Sequence, residues 1–526
     1  MDLQQKIGQL MTIEIPGQQL TEETAAFIRE CHPACVVLFG ANWAGPWAIG
    51  RLVADMQAVA AEAGDAPMLI GMDQEGGQVS HLRYPCAEMP SNMGRAAAGG
   101  PGAAEEAAEV LGSEMVRLGI NLAFAPVVDV NTNPANPVIG TRAFSDDPAQ
   151  VAACGAAAVR GLRRAGCLSM AKHFPGHGDT WVDSHLGLPT VAHDWQRMRE
   201  VELVPFRAAI EAGVDSIVSA HVVYRGIDDS GLPATLSHRI MTGLLREELG
   251  FEGALFADAL VMDSIAKRNS AYIPPAAIAA VRAGMDSLMV FGSLESQRRC
   301  YYGLLGAVES GLISMDRLDE AAARVQALRE RASPAQPDAT WPDMEHQRTA
   351  RRIALSAVTL VRDEGGLLPL AGDGEGLGLV EFAPGRMSPV EGARNEPLNG
   401  STLAFLLDQH LPRARSLALQ ATMPHAHEQL RAFLTGCERV LVATRHACLE
   451  PEQAELLRYI ASTGKPIIQA ALRSPYDAAL EPRIGTVLLT YGDQPTGLAG
   501  LVDVLRGDAP AQGRLPVRMP ASVEAV

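Results

Sequence analysis

The chain has 526 residues, of which 47% are hydrophobic and 20% charged; this composition is ordinary for a globular protein, and the length favours two domains. The formal net charge of −17 argues against nucleic acid or an anionic membrane as the main partner. No apolar run approaches the ~20 residues that span a bilayer, and no signal peptide is evident. The eight scattered cysteines are predicted to be reduced thiols, so we expect a cytoplasmic protein.

Eight short apolar segments are predicted to be β-strands that alternate with helices. Their hydrophobicity is continuous, as in strands that are buried on both faces. The fold class that this alternation predicts is α/β, with an N-terminal (β/α)8, TIM-like barrel. The predicted strands are Leu10–Ile15, Ala34–Gly40, Pro67–Asp73, Asn121–Pro126, Leu168–His173, Asp215–His221, Gly253–Asp258 and Asp286–Phe291. The predicted helices are Thr21–Glu30, Trp47–Ala63, Ala103–Leu118, Asp147–Ala165, Asp194–Ala212, Ser237–Leu249, Pro275–Ala283 and Leu294–Ser310.

The composition changes after Arg329, where a proline-bearing stretch without periodic hydrophobicity predicts a linker. We therefore predict a catalytic barrel over 1–331, a linker over 332–344 and a smaller C-terminal α/β layered domain over 345–526. Five strands are predicted in this second domain: Val358–Arg362, Leu377–Phe382, Val440–Thr444, Pro466–Leu472 and Thr486–Thr490.

Polar side chains stand at or just after the carboxyl ends of most barrel strands. This is the face on which barrels of this kind carry their chemistry. An open doubly wound sheet, the alternative, gathers its ligands at one switch point and does not need polar groups after most strands. The residues concerned are Asp73, Asp129, Lys172, His173, His221 and Asp258.

The stretch KHFPGHGDTWVDSHLGLP, from Lys172 to Pro189, is the densest polar segment of the chain. A loop that only connects two elements is rarely this rich in His, Lys and Asp. Within it, Asp183 and His185 lie close enough for the carboxylate to hold the imidazole as a proton shuttle. A Ser-His-Asp hydrolase is the rival interpretation, but no GxSxG motif occurs and Ser184 stands between its supposed partners.

Asp258 ends the seventh predicted strand and is a candidate nucleophile, the alternative being a helix N-cap. No HExxH motif, paired CxxC motif or EF-hand loop is present. The sequence therefore favours covalent catalysis without a metal, and we expect no cofactor.

Charged groups on separate barrel loops suit a sugar, whose hydroxyl groups each need a partner. The candidates are Asp73, Arg142, Lys172 and His173. A surface salt bridge is the alternative for Arg142, and a structural histidine the alternative for His173. His221 is included as a substrate-binding candidate, although an indirect structural role fits it equally well.

Several segments together resemble one known family. The Lys172–Pro189 stretch is similar to the signature of the β-N-acetylglucosaminidase branch of the family-three glycoside hydrolases, in its two-domain form. Further blocks that resemble this family occur in the right order: DQEGGQV, PVVDVNTNP, IGTRAF and FADALVM in the barrel, and SAVTLVRDEGGLLPL, LRSPYD and GRLPVRMP beyond it.

The resemblance implies a retaining exo-β-N-acetylglucosaminidase that recycles cell-wall sugars in the cytoplasm. Asp258 would be the nucleophile, His185 the acid/base and Asp183 its partner, while the charged candidates named above would hold the sugar. A phosphorylase, or a β-glucosidase whose acid comes from the C-terminal domain, is the alternative. A neutral imidazole would suit an anionic aglycone or phosphate, because it does not repel them as a carboxylate would.

The chain departs from the family pattern in the loop after the third strand. Gln78 and His81 stand where arginines are usual. We expect this change to affect substrate preference and not the chemistry. The oligomeric state and the task of the second domain cannot be inferred from these patterns.

Overall fold

The computed structural model describes residues 1–266, 270–333, 340–383, 388 and 402–520. Eight parallel strands close into a barrel in which β1 pairs with both β8 and β2. This confirms the predicted fold class. The strands are β1 (Met11–Glu14), β2 (Cys35–Val37), β3 (Leu69–Met72), β4 (Leu122–Ala123), β5 (Leu168–Phe174), β6 (Ser216–Ser219), β7 (Ala254–Ala257) and β8 (Ser287–Val290).

In most of these strands, alternate side chains belong to two apolar layers, one inside the barrel and one beneath the helices. Cys35 and Val37 of β2 join the barrel interior, whereas Val36 packs toward the surrounding helices. Because both faces are buried, the strands read as unbroken apolar runs in the sequence. The α-helices of this part are Leu3–Gln9, Glu22–Cys31, Pro46–Glu62, Asn92–Gly99, Pro101–Arg117, Pro148–Arg164, Trp195–Glu200, Leu203–Glu211, Asp263–Ala266, Ile273–Ala283, Leu294–Glu309 and Met315–Glu330, with a π-helix over Arg239–Glu248.

One predicted helix, Asp194–Ala212, is two helices in the structure. The first ends at Glu200 and the second begins at Leu203. Pro205 explains the break, because it has no N–H to donate to the carbonyl of Val201. It is tolerated in the first turn of the second helix, where N–H groups have no intrahelical partner.

The C-terminal part forms a six-stranded sheet in which β9 is antiparallel to β14 and the other neighbours are parallel. Apolar clusters cover both faces of the sheet. Its strands are β9 (Thr359–Asp363), β10 (Leu377–Phe382), β11 (Arg415–Leu419), β12 (Arg439–Thr444), β13 (Ile467–Ala471) and β14 (Thr486–Leu489), in the order β9-β14-β13-β12-β10-β11. Its α-helices are Met344–Ala357, Thr402–Asp408, Ala426–Thr435, Pro451–Ser462 and Pro495–Arg506.

The two parts are joined by hydrogen bonds as well as by packing. Ser91 donates to the carbonyl of Tyr491 at 2.6 Å, and Asn131 donates to the Tyr476 hydroxyl at 3.1 Å. Residues 334–339 of the predicted linker lie outside the described residues, so the domain bounds stay a prediction. Among the described helices, none is both long and apolar enough to cross a membrane.

The helices Pro101–Arg117 and Pro148–Arg164 approach each other very closely at Gly161. A Cβ atom there would lie 2.1 Å from the carbonyl oxygen of Glu105. We expect Gly161→Ala to destabilise the barrel by about 1–3 kcal/mol, because backbone cannot yield as a side chain can. Thermal unfolding followed by circular dichroism measures this.

Gly50→Ala is the matched control, since Gly50 also lies within a helix but a Cβ atom there would meet nothing within 4 Å. It should stabilise the protein by about 0.5–1 kcal/mol. Equal shifts in melting temperature for the two variants would contradict the close approach.

Candidate active site

A cavity of about 540 Å³ opens at the carboxyl ends of the barrel strands. Asp73, Arg142, Lys172, His173, His185 and Asp258 all line it. The structure therefore brings together most of the side chains that the sequence singled out. Asp183 and His221 do not line it, and each lies behind a residue that does. The apolar part of the lining comes partly from the barrel interior and includes Phe39, Phe124, Val218, Met289 and Phe291.

A buried ion cluster forms one side of this catalytic cavity. Lys172 Nζ lies 2.5 Å from Asp73 Oδ1 and 2.6 Å from Glu75 Oε1. Arg142 donates from Nε and Nη2 to the two oxygens of Glu75, both at 2.9 Å. Arg142 is thus a buried side chain and not part of a surface salt bridge. The exposed edge of Asp73 and the ammonium of Lys172 offer an acceptor and a donor to a hydroxyl group.

Glu75 is a member of the site that the sequence reasoning missed. Burial opposes its ionisation, but the fields of Arg142 and Lys172 outweigh it and lower the pKa of Glu75 to about 2. Burial lowers the pKa of Lys172, but the charges of Asp73 and Glu75 outweigh this effect and raise that pKa above its ordinary value. Charge balance was the signal that could have identified it. Arg142 and Lys172 are two predicted cations, and if both are buried they need a second carboxylate beside Asp73.

His173 is held by Asp129, which is fully buried. The ring Nδ1 lies 2.7 Å from Asp129 Oδ2, and the backbone N–H groups of His173 and His177 both donate to Oδ1. With Nδ1–H directed to the carboxylate, Nε2 is an acceptor, and Arg142 Nη2 approaches it at 3.4 Å. Asp129 thus fixes both the tautomer and the direction of the His173 ring.

The Asp183–His185 pair forms as the spacing predicts. His185 Nδ1 lies 2.7 Å from Asp183 Oδ1, and the His185 backbone N–H donates to the same oxygen at 2.9 Å. Burial alone would raise the pKa of Asp183, but these hydrogen bonds and the field of His185 outweigh it and lower the pKa to about 2. Ser388, from the C-terminal part, donates to the other oxygen, Oδ2, at 2.7 Å. Within the described part of the chain, no hydrogen bond engages Nε2 of His185, whose side chain lines the catalytic cavity.

The rival Ser-His-Asp arrangement is not formed. The hydroxyl of Ser184 lies 3.0 Å from Nε2 of His177 and not against His185. His177 itself is buried, and this burial together with the neighbouring His173 lowers its pKa to about 4. Ser184 therefore forms a hydrogen bond within its own loop, to His177, and stabilises that loop.

Asp258 follows β7 and turns its carboxylate into the catalytic cavity, where Ala259 N–H donates to Oδ1 at 2.8 Å. The next helix begins only at Asp263, so Asp258 is not a helix cap. Burial works against its ionisation, yet the fields of His221, His173 and His185 keep the pKa of Asp258 below its ordinary value. A carboxylate in this state is a competent nucleophile.

His221 lies beneath Asp258 and is fully buried. Its Nε2 lies 3.2 Å from the Ala259 carbonyl and its Nδ1 lies 2.7 Å from the Thr235 hydroxyl. The structure therefore gives His221 a place behind the cavity lining, where it acts on Asp258 through the backbone and through its field.

The two departures from the family pattern lie in different places. His81 lines the catalytic cavity and packs edge-on against Phe39, with ring centroids 5.7 Å apart. Arg83 lines the same cavity, so an arginine remains in this loop. Gln78 faces a separate cavity between the two parts of the chain.

Comparison with known proteins agrees with this arrangement. Residues 2–328 match the glycosyl hydrolase family 3 N-terminal domain. A beta-hexosaminidase A of Pseudoalteromonas piscicida is 33% identical over 549 aligned residues, which are 95% of this chain and 91% of that protein. A beta-N-acetylglucosaminidase/beta-glucosidase of Cellulomonas fimi is 32% identical over 86% of this chain and 83% of its own.

A solved structure covers the whole chain. The glycoside hydrolase family 3 beta-N-acetylglucosaminidase of Paenibacillus sp. str. FPU-7 is 35% identical, covers 100% of both chains and superposes with a TM-score of 0.91. The barrel, the ordered ion cluster at its carboxyl face and these similarities lead to one assignment. This chain belongs to glycosyl hydrolase family 3 and is a glycoside hydrolase.

Proposed function

We propose that this enzyme is a retaining exo-β-N-acetylglucosaminidase that hydrolyses terminal GlcNAc glycosides. The observation that carries the proposal is that Asp258 and His185 line one cavity whose other side is the ion cluster of Asp73, Lys172, Arg142 and Glu75. The names of the similar proteins support this sugar in part: the Paenibacillus protein is a beta-N-acetylglucosaminidase, the Cellulomonas protein is a beta-N-acetylglucosaminidase/beta-glucosidase, and the Pseudoalteromonas protein is a beta-hexosaminidase.

In the first step, the Asp258 carboxylate attacks the anomeric carbon and forms a covalent glycosyl-enzyme. His185, protonated at Nε2, gives its proton to the departing glycosidic oxygen, while Asp183 stabilises the imidazolium through Nδ1–H. In the second step, the neutral imidazole takes a proton from water as the water oxygen attacks the same carbon. The sugar leaves with its original configuration, and the two residues return to their starting states.

The ion cluster would hold the hydroxyl groups of the non-reducing sugar, with Asp73 as acceptor and Lys172 as donor. His173, fixed by Asp129, adds one ring nitrogen. The acetamido group stands next to the anomeric carbon and would therefore lie near Asp258. Val261 and Met262 line the cavity at that end and offer an apolar surface to the acetyl methyl group.

The β-glucosidase alternative requires an acid from the C-terminal part. Among the described residues, none beyond residue 340 lines the catalytic cavity. The structure therefore offers that alternative no support in the part of the chain that it describes. An assay with and without phosphate distinguishes phosphorolysis from hydrolysis, because the two reactions release different sugar products. The cell-wall origin of the substrate and the cytoplasmic location stay predictions of the sequence.

The experiment that tests the proposed function is a panel of aryl β-glycosides of GlcNAc, glucose and xylose, each with and without phosphate. We expect turnover of the GlcNAc glycoside with free GlcNAc as product, independent of phosphate. Sugar 1-phosphate as the main product would make the enzyme a phosphorylase. A preference for glucose would overturn the proposed sugar.

Asp258→Ala should reduce kcat by at least about a thousandfold, because the covalent intermediate has no other attachment point. The protein should stay folded, since the carboxylate faces the cavity and supports no packing. Stopped assays and circular dichroism measure the two effects. The control is Asp263→Asn, which alters a nearby carboxylate at the start of the next helix that does not line the cavity. Near-normal activity of Asp258→Ala would refute the nucleophile.

His185→Ala should lower kcat/KM most for glycosides with poor leaving groups, which depend on protonation, by about 10²–10⁴-fold. For leaving groups that depart as stable phenolates, the loss should be small. A series of substituted phenyl glycosides measures the slope against leaving-group pKa. His193→Ala is the control, because His193 pairs with Asp179 outside the catalytic cavity; an equal loss across the series would show that His185 is not the acid.

A further inference from the structure

The wall of the catalytic cavity that lies across the barrel from Asp258 carries a histidine with no assigned task. Asp258 follows β7, and in the closed ring of strands β3 stands four strands away from β7 in either direction. Asp73 and His81 belong to the loop after β3, and both line the cavity. The His81 side chain therefore stands on the opposite side of the cavity from the proposed nucleophile.

Contacts of its backbone and of its ring fix the position of His81. Gln74 directly follows Asp73, and its Oε1 accepts from the backbone N–H groups of His81 and Leu82 at 2.8 and 3.1 Å. The ring packs edge-on against Phe39 of the neighbouring loop. Only 4% of the His81 surface is exposed, and its side chain lines the cavity. The imidazole is thus held beside Asp73 before any ligand binds.

The His81 ring has hydrogen-bonding capacity that the protein does not use. Among the residues that the structure describes, none forms a hydrogen bond to either ring nitrogen. Burial lowers the pKa of His81, although the charges of Asp73 and Glu75 oppose this effect. The imidazole is therefore neutral at pH 7, with one nitrogen as donor and the other as acceptor. A polar group that is buried without a partner is unfavourable, so a ligand hydroxyl group at this point would recover an interaction.

The position of Asp258 defines which part of the sugar meets this wall. In the proposed mechanism Asp258 forms a bond to C1, and C4 lies on the opposite side of the pyranose ring from C1. An equatorial hydroxyl group at C4, as in GlcNAc, extends away from C1 in the plane of the ring and therefore toward the wall of Asp73 and His81. An axial hydroxyl group, as in GalNAc, leaves that plane.

We propose that His81 is a specificity-determining residue that forms a hydrogen bond with the equatorial C4 hydroxyl group of the sugar, and so selects GlcNAc over GalNAc. This inference rests on the proposed function and deepens it. An arginine, which is usual at this position in the family, could only donate and would add a positive charge near Lys172. A neutral imidazole can donate or accept, as a hydroxyl group can.

The test measures kcat/KM on 4-nitrophenyl β-glycosides of GlcNAc, 4-deoxy-GlcNAc and GalNAc. For the unaltered enzyme, the GlcNAc glycoside should exceed each of the other two by at least about tenfold, because they leave the His81 ring without its partner. His81→Phe keeps a ring against Phe39 and removes both nitrogens. It should lower both ratios by about tenfold, the effect of one buried hydrogen bond, mainly through slower turnover of the GlcNAc glycoside.

Tyr84→Phe is the matched control, because Tyr84 belongs to the same loop, is exposed and does not line the cavity. Its ratios should equal those of the unaltered enzyme. His81→Gln keeps a donor and an acceptor, and should retain more of both ratios than His81→Phe does. Circular dichroism checks that the variants are folded.

An equal loss on all three glycosides in His81→Phe would overturn the inference, since it would show a role in packing alone. Equal turnover of the GlcNAc and 4-deoxy glycosides by the unaltered enzyme would also overturn it, without any variant. In both cases turnover of the GlcNAc glycoside would still support the proposed function. If the unaltered enzyme did not turn over that glycoside, the proposed function would fail, and this inference with it.

Discussion

The site depends on one buried carboxylate, that of Glu75. It holds Arg142 through two parallel hydrogen bonds and Lys172 through a third contact. These three side chains come from three different segments: the stretch after β3, the loop after β4 and β5 itself. Removing one member of a buried ion cluster leaves an unpaired charge, which commonly costs about 3–5 kcal/mol. The ionised Glu75 therefore holds together the side chains that we propose contact the sugar at the barrel's carboxyl face.

The proposed acid/base pair likewise depends on a buried carboxylate that several hydrogen bonds hold in place. Asp183 receives bonds from the ring and the backbone of His185 on one oxygen and from Ser388 on the other. Its low pKa keeps it ionised whenever His185 takes up a proton. The loop thus needs no second carboxylate near the glycosidic oxygen. In the proposed mechanism, the barrel supplies the nucleophile and the sugar contacts, and Ser388 of the C-terminal part bonds to the carboxylate that pairs with the acid.

The sequence was informative wherever a signal is local. Barrel strands stood out because they are buried on both faces, and Asp183 and His185 were paired because only one residue separates them in one loop. The edge strand β11 was missed because most of its side chains are at least partly exposed, so it has no apolar run. The break at Glu200 was missed although Pro205 marks it.

Contacts between distant segments were beyond such reasoning. Charge balance indicates a further carboxylate beside Arg142 and Lys172, but nothing in the sequence identifies it as Glu75. Nothing near Ser388 shows that it will reach Asp183. His221 was placed with the substrate contacts because it ends a predicted strand, whereas the fold sets it beneath Asp258. Gln78 was read as a lost arginine, and only the packing of the two parts gives its amide a cavity to face.

Because Ser388 of the C-terminal part bonds to Asp183, the activity of the proposed enzyme should depend on whether that part is folded. If that part loosens on heating while the barrel remains closed, the acid/base pair loses a hydrogen bond before any barrel strand separates. Thermal inactivation of the proposed enzyme would then follow the weaker of its two folded units. An enzyme of this design would be made more heat-resistant by strengthening the small sheet and not the barrel that carries the nucleophile.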